Sequence, residues 1–323
     1  MVDDGALPGG VILHGTRDDR PEFASSGIAA PECGDTLPGP NTVYDVASLT
    51  KVLATWPLIG VANGITVDTP VRELLPDVPD QAPGGRVTVG QILAHTSGLR
   101  ADTRLDQYRG RTEPLATLIC GEPLIAEPGA GHRYINRGFI LLGLALTAVH
   151  GGRLDRLATD LWQSLSMTGT TYGPVGRSPE VAPTEQRIPG SPRLWGIPHD
   201  DNATLLGGVA GHAGVFTTPA DLAAFAGWLL TAYALDVGLG SWLRTSMEPK
   251  AEIEPGLHRG LAWILADDGR VAYHHGFTGT SLYLAPSTGR YLAICTNAVY
   301  HHQDNRTRLA PLRNLALKAI TTD

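Results

Sequence analysis

The chain reads as an α+β protein: an antiparallel sheet flanked by helices, with a helical lobe inserted between the two chain ends. Short apolar runs cut by glycine and proline turns lie toward both ends, and apolar residues recur at three- and four-residue spacing through the middle. The 323 residues, 42% hydrophobic and 18% charged, provide enough apolar chain for two lobes sharing an interface.

Residues 8–15 (PGGVILHG) form an apolar run closed by glycine, and the Gly-, Pro- and Ser-rich stretch 16–41 fits strands joined by turns. From Ser48 onward Leu49, Val52, Leu53, Trp56 and Ile59 recur at helical spacing, with Asn63-Gly64 as the stop. A largely buried helix is expected there, kinked in its middle by Pro57. Helical patterns dominate 71–233, at 89–95, at 136–150 before Gly151-Gly152, and at 219–233. The last has its own start signal in Thr218, Pro219 and Asp221. Residues 172–208 carry six prolines and little periodicity, as in a functional loop, and are expected to shape a substrate entrance. Runs at 261–266, 271–275, 281–285 and 291–296, separated by Asp-Asp-Gly, Gly-Phe-Thr-Gly and Ser-Thr-Gly turns, predict an antiparallel meander before a terminal helix from about residue 307.

Composition excludes several function classes. A net charge of −7 with scattered arginines repels a phosphate backbone, so no nucleic-acid partner is expected. Cys33, Cys120 and Cys295 are odd in number and far apart, which yields neither a disulfide framework nor a CxxC motif. Without an 18-residue apolar stretch or a basic N-terminal leader, the expectation is a cytoplasmic protein with no membrane partner. The pairs His274-His275 and His301-His302 lack any ligand spacing, since neighbours on a strand diverge, so no metal is expected. The glycines at 207–211 lack a P-loop ending, and no Gly-x-Ser-x-Gly elbow occurs.

Three motifs can carry chemistry. Ser48-Leu49-Thr50-Lys51 places a hydroxyl and an amine one helical turn apart, a nucleophile beside a base; with three lysines in the chain, the spacing is a rare coincidence. Tyr134-Ile135-Asn136 opens the next strong helix: a phenol can serve as general base, and an amide can orient both a lysine and a substrate carbonyl. Taken alone it reads more readily as a buried tyrosine and a helix cap. His274-His275-Gly276 ends a strand before Phe277, whose N–H could pair with that of Ser48 as an oxyanion hole, with Gly276 letting a substrate backbone lie alongside.

In order along the chain, DVASLTKVLAT (45–55), HTSGL (95–99), Tyr134-x-Asn136 with Gly143, GVAGHAG (208–214) and HHGFTG (274–279) resemble the serine β-lactamase-related hydrolases. Within that group the likeness is to the class C β-lactamase, DD-peptidase and esterase branch, which is penicillin-binding-protein-like. The resemblance implies a β-lactamase/transpeptidase-like fold, with a mixed α/β lobe from 1–70 and 240–323, a mainly helical lobe from 71–239, and the active site in the cleft between them. Ser48 would form the acyl-enzyme, Lys51 and Tyr134 would relay its proton, and Asn136 would hold the substrate amide. His274 would stand among the substrate-binding groups where many relatives carry lysine, and no cofactor or metal is needed.

The expected activity is hydrolysis of a small-molecule ester, amide or peptide. The alternatives are a transacylase moving an acyl group to a non-water acceptor in natural-product biosynthesis, and a non-catalytic penicillin-binding-type sensor. A homo-oligomer is entertained because only Val2 to Leu7 stands where relatives begin with a longer helix. His274, mostly neutral near pH 7, disfavours strong capture of a β-lactam carboxylate, and His275 is expected on the opposite strand face. His95 and His212 are read as loop braces, and Trp195 as the tryptophan placed to touch a ligand.

Overall fold

In the computed structural model, which describes residues 1–3, 5–102 and 104–322, the first strand pairs with the last. Asp4, Thr103 and Asp323 lie outside the described residues. In chain order the strands are β1 (Gly9–Thr16), β2 (Glu22–Gly27), β3 (Tyr44–Asp45), β4 (Thr171–Tyr172), β5 (Val215–Thr217), β6 (Ala251–Glu254), β7 (Leu257–Arg259), β8 (Ile264–Ala266), β9 (Val271–His275), β10 (Ser281–Ala285) and β11 (Arg290–Thr296). Eight of them form one antiparallel sheet in the order β2-β1-β11-β10-β9-β8-β7-β6, and β3-β5-β4 form a small second sheet. Val11 lies opposite Cys295 and Leu13 opposite Ala293, so the two chain ends are joined in register.

The alternation of the strands decides which helix covers which face. Val11, Leu13, Leu282, Leu284, Ala293 and Cys295 face the main core, which includes Leu222, Phe225 and Leu229 of the helix Pro219–Leu235. Tyr273, Tyr283, Leu292 and Ile294 face the other way and pack on Ala316 and Ile320 of the terminal helix Ala310–Thr321. Helix Pro219–Leu235 starts where its sequence predicts: Thr218 Oγ1 accepts from Asp221 N at 3.1 Å.

The segment after Ser48 departs from the expected kinked helix. It runs as a 3₁₀ turn (Ala47–Leu49), a π-helical turn (Lys51–Thr55) and a short α-helix (Trp56–Val61). Pro57 lacks the N–H that would bond the Leu53 carbonyl, and the buried Trp162 Nε1–H takes that place, donating to Leu53 O at 2.8 Å. Residues 261–263 also fall outside the strand expected there: Ala262 has a φ of 70°, and β8 begins only at Ile264. The terminal helix is preceded by a 3₁₀ stretch, Gln303–Leu309.

Candidate active site

Ser48 sits just after a backbone constriction. Ala47 adopts φ 45°, a region that costs a residue with a Cβ about 1 kcal/mol or more. The neighbouring Asp45 holds it there, Oδ1 accepting from Ala47 N at 2.8 Å and Oδ2 from His199 N at 2.6 Å. Burial pushes the Asp45 carboxyl up, against those two hydrogen bonds. The chain is also fastened by residues 211–215: Thr50 Oγ1 accepts from Val215 N at 3.1 Å, and Thr55 Oγ1 donates to Gly211 O at 2.6 Å.

Lys51 is completely buried. Its Nζ lies 2.9 Å from Ser48 Oγ, 2.9 Å from Asn136 Oδ1 and 3.1 Å from His212 O. The last two oxygens can only accept, so two Nζ positions are committed as donors. The remaining position faces Ser48 and can carry either a proton or a lone pair. His212, read as a brace, supplies its carbonyl to the lysine while its ring Nε2 meets Asp200 Oδ1 at 2.8 Å. Although burial opposes ionisation of Asp200, the adjacent His212 holds its carboxyl well below the usual carboxylate range.

Tyr134 is 40% exposed, its ring centroid 5.0 Å from Lys51 Nζ and 5.8 Å from the Arg259 guanidinium carbon. His95 packs against the ring at 4.4 Å, and His274 lies 6.3 Å away. His95 braces the Tyr-x-Asn segment as expected, its Nδ1 accepting from Ile135 N at 3.2 Å. His274 Nδ1 donates to His275 O at 3.0 Å. Burial, and then the charges of Arg259 and Lys51, hold both imidazoles well below the ordinary histidine range, so both are neutral at pH 7. His274, expected among the substrate-binding groups, is 2% exposed and does not line the cleft. It stands behind the tyrosine because the β9 alternation turns it inward.

The turn between β9 and β10 carries Gly276 and Phe277. A Cβ on Gly276 would fall 2.2 Å from Thr280 Oγ1 and 2.3 Å from Val46 O, which explains the glycine and the close approach of this turn to the Ser48 segment. Thr278 Oγ1 donates to Asp45 O at 2.6 Å and Thr280 Oγ1 to Val46 O at 3.2 Å, tying the two together. Among the described residues Phe277 N–H has no acceptor. The Phe277 ring stacks on His199 at 5.2 Å, and His199 Nε2 lies 2.9 Å from Glu185 Oε1.

Ser48, Tyr134, Asn136 and Phe277 open into one cleft of about 940 Å³. Residues of the proline-rich 172–208 segment form one wall, among them Glu185, Arg187, His199 and Asp200, and Arg104, Asp106 and Arg109 line the cleft as well. Sequence reasoning missed these residues, since isolated charges carry no spacing signal. Trp195, expected to touch a ligand, is turned away: its Nε1 donates to Val181 O at 2.7 Å and pins the segment.

A sheet closed by both chain ends, helices on both its faces and a serine hydrogen-bonded to a buried lysine at the cleft floor are the defining features of the fold and site. The Beta-lactamase family model matches residues 1–317, and the chain belongs to that family of serine hydrolases. It is similar over its length to a class C β-lactamase from Rhodobacter sphaeroides (16% identity, TM-score 0.78, covering 97% of this chain and 96% of that one). It is likewise similar to an octameric penicillin-binding protein homologue from Pyrococcus abyssi (18% identity, TM-score 0.74, covering 97% and 75%). A protein named putative D-alanyl-D-alanine carboxypeptidase from Salmonella agona is 29% identical over 217 residues, 57% of this chain and 50% of that protein. The chain thus spans about half the length of that curated relative.

Proposed function

We propose that this chain hydrolyses an ester or amide through an acyl-enzyme on Ser48. The observation that carries the reading is the allocation of positions at Lys51, two committed to Asn136 and His212 and the third facing Ser48 Oγ at 2.9 Å. Proton exchange at the lysine is thereby confined to the serine side.

In acylation, Ser48 Oγ bonds to the substrate carbonyl carbon while its proton passes to Lys51 and Tyr134. The carbonyl electron pair moves onto oxygen, which the N–H groups of Ser48 and Phe277 receive. Collapse breaks the C–N or C–O bond, and Tyr134, open to the cleft, returns the proton to the leaving group. Water then repeats the sequence, releasing the acid and regenerating Ser48. Asn136 aligns the lysine and, through its amide nitrogen, the substrate carbonyl.

A polar peptide or peptide-like amide is the proposed substrate class. The charged cleft wall supports it, as does the name of the Salmonella relative. The neutral, buried His274 argues against a strong hold on a carboxylate from β9. Self-association belongs to the same proposal, supported by the octameric Pyrococcus homologue and checked by sedimentation velocity.

The test is intact-protein mass after exposure to activated esters, a fluorophosphonate, a penicillin and a D-alanyl-D-alanine peptide, on wild type and Ser48→Ala. Adducts on wild type alone are expected. Equal labelling of both proteins, or of neither, overturns the assignment of Ser48. An adduct that never turns over identifies a sensor, and product diverted to an added amine or alcohol identifies a transacylase.

A further inference from the structure

Arg313, on the terminal helix Ala310–Thr321, reaches beneath the sheet to the turn between β9 and β10. Its Nη2 donates to Gly276 O at 3.1 Å and Thr280 O at 3.3 Å, and its Nε donates to Ser281 Oγ at 3.1 Å. Among the described residues it has no carboxylate within ion-pair distance, so this cation is committed to the oxygens at the two ends of one turn. Ser281 Oγ donates onward to Thr280 O at 2.8 Å and lies 2.9 Å from His275 Nδ1, placing His275 in the same clamp. Burial lowers the Arg313 pKa from its usual value, yet guanidinium remains charged at neutral pH.

The Gly276 carbonyl and the Phe277 N–H belong to one planar trans peptide, so they point in opposite directions. Whatever fixes the carbonyl on one side aims the N–H on the other. We propose that Arg313 is a positioning residue that sets the direction of the Phe277 N–H toward the cleft by holding the Gly276 carbonyl from behind. This rests on the reading of Phe277 N–H as an oxyanion donor. Removal of one such donor costs roughly 10²- to 10³-fold in turnover, and misaiming it costs part of that.

The experiment compares wild type, Arg313→Ala and Arg313→Lys on an activated ester that labels Ser48. Arg313→Ala is expected to lower kcat by about 10- to 100-fold with KM within about twofold, and added guanidinium ion is expected to restore part of the loss. Arg313→Lys, able to serve only part of the three-oxygen set, is expected to fall between. Hydrogen–deuterium exchange over 276–281 is expected to rise in Arg313→Ala while the thermal midpoint of Arg313→Lys stays near wild type. Full kcat in Arg313→Ala overturns the proposal, as does a loss that tracks the thermal midpoint and resists guanidinium. Should Arg313→Ala not fold, unchanged kcat and exchange in Arg313→Lys overturn it equally. Exchange needs no turnover, so a wild type without an adduct on Ser48 sinks the proposed activity while exchange still reports on the clamp.

Discussion

The floor of the cleft and its loop wall are built on opposite principles. At the floor, Lys51 is completely buried and each of its polar contacts is assigned to one oxygen, while Asp45 ties the strained Ala47 into place. In the wall, Arg187 divides itself among Glu185, Asp201 and the His199 carbonyl, with its side chain about a third exposed. A buried, fully assigned network admits few alternative arrangements, whereas an ion-pair cluster that reaches solvent through Arg187 and Asp201 tolerates exchange on that side. On the proposed function, the first would fix the reaction and the second would select the substrate.

The sharpest way to break it is Ser48→Ala, expected to abolish the mass adduct and to lower turnover by at least about 10³-fold. Lys51→Met should come close to the same loss. If the floor acts as one unit, the double variant is hardly worse than either single one, which single-turnover kinetics would read directly. Independent additive losses would show that the serine and lysine act separately.

Acid stability probes the other buried groups. Burial, followed by the charges of Arg313 and Arg259, pushes the His275 pKa down to about 3, below the ordinary value near 6.5. Between those values the unfolded chain binds a proton that the folded chain refuses, so folding stability falls as pH drops from about 6.5 toward 3. From pH 7 to 5 this one group should cost about 2 kcal/mol, and thermal midpoints of His275→Gln should show a shallower pH dependence than wild type. The smallest effect belongs to the wall: Arg187→Ala is expected to change stability by less than about 1 kcal/mol. It should leave kcat on a small activated ester unchanged while shifting KM for a peptide several-fold, as steady-state kinetics on both substrates would show.

Legibility in the sequence followed the same division. Ser48, Lys51, Tyr134 and Asn136 lay in motifs whose spacing is itself the chemistry, and the structure brings all four together. The helix at Pro219–Leu235 was readable from Thr218, Pro219 and Asp221 because a cap is a local event. The π-turn at Lys51–Thr55 was not, since the partner of the Leu53 carbonyl is Trp162, distant in the chain. Strands β6 and β7 went unread because they are short and polar on alternate residues around Pro255-Gly256, and β3, β4 and β5 are too short for any period to register. That His274 lies on β9 is legible in the sequence but its burial is not, because alternation tells two faces apart without saying which is open.

The pairing of β1 with β11 sets an order of assembly during synthesis. Ser48 and Lys51 leave the ribosome well before the strand that closes the sheet and the helix bearing Arg313. At roughly 5–20 residues per second, the nascent chain holds its nucleophile for tens of seconds before β11 exists. A chain stalled before Arg290 would carry the Ser-x-x-Lys pair with β1 unpaired on that side, and it should take up no acyl label. On the proposed reading, competence for acyl transfer is therefore gained only once β11 has been made and paired with β1.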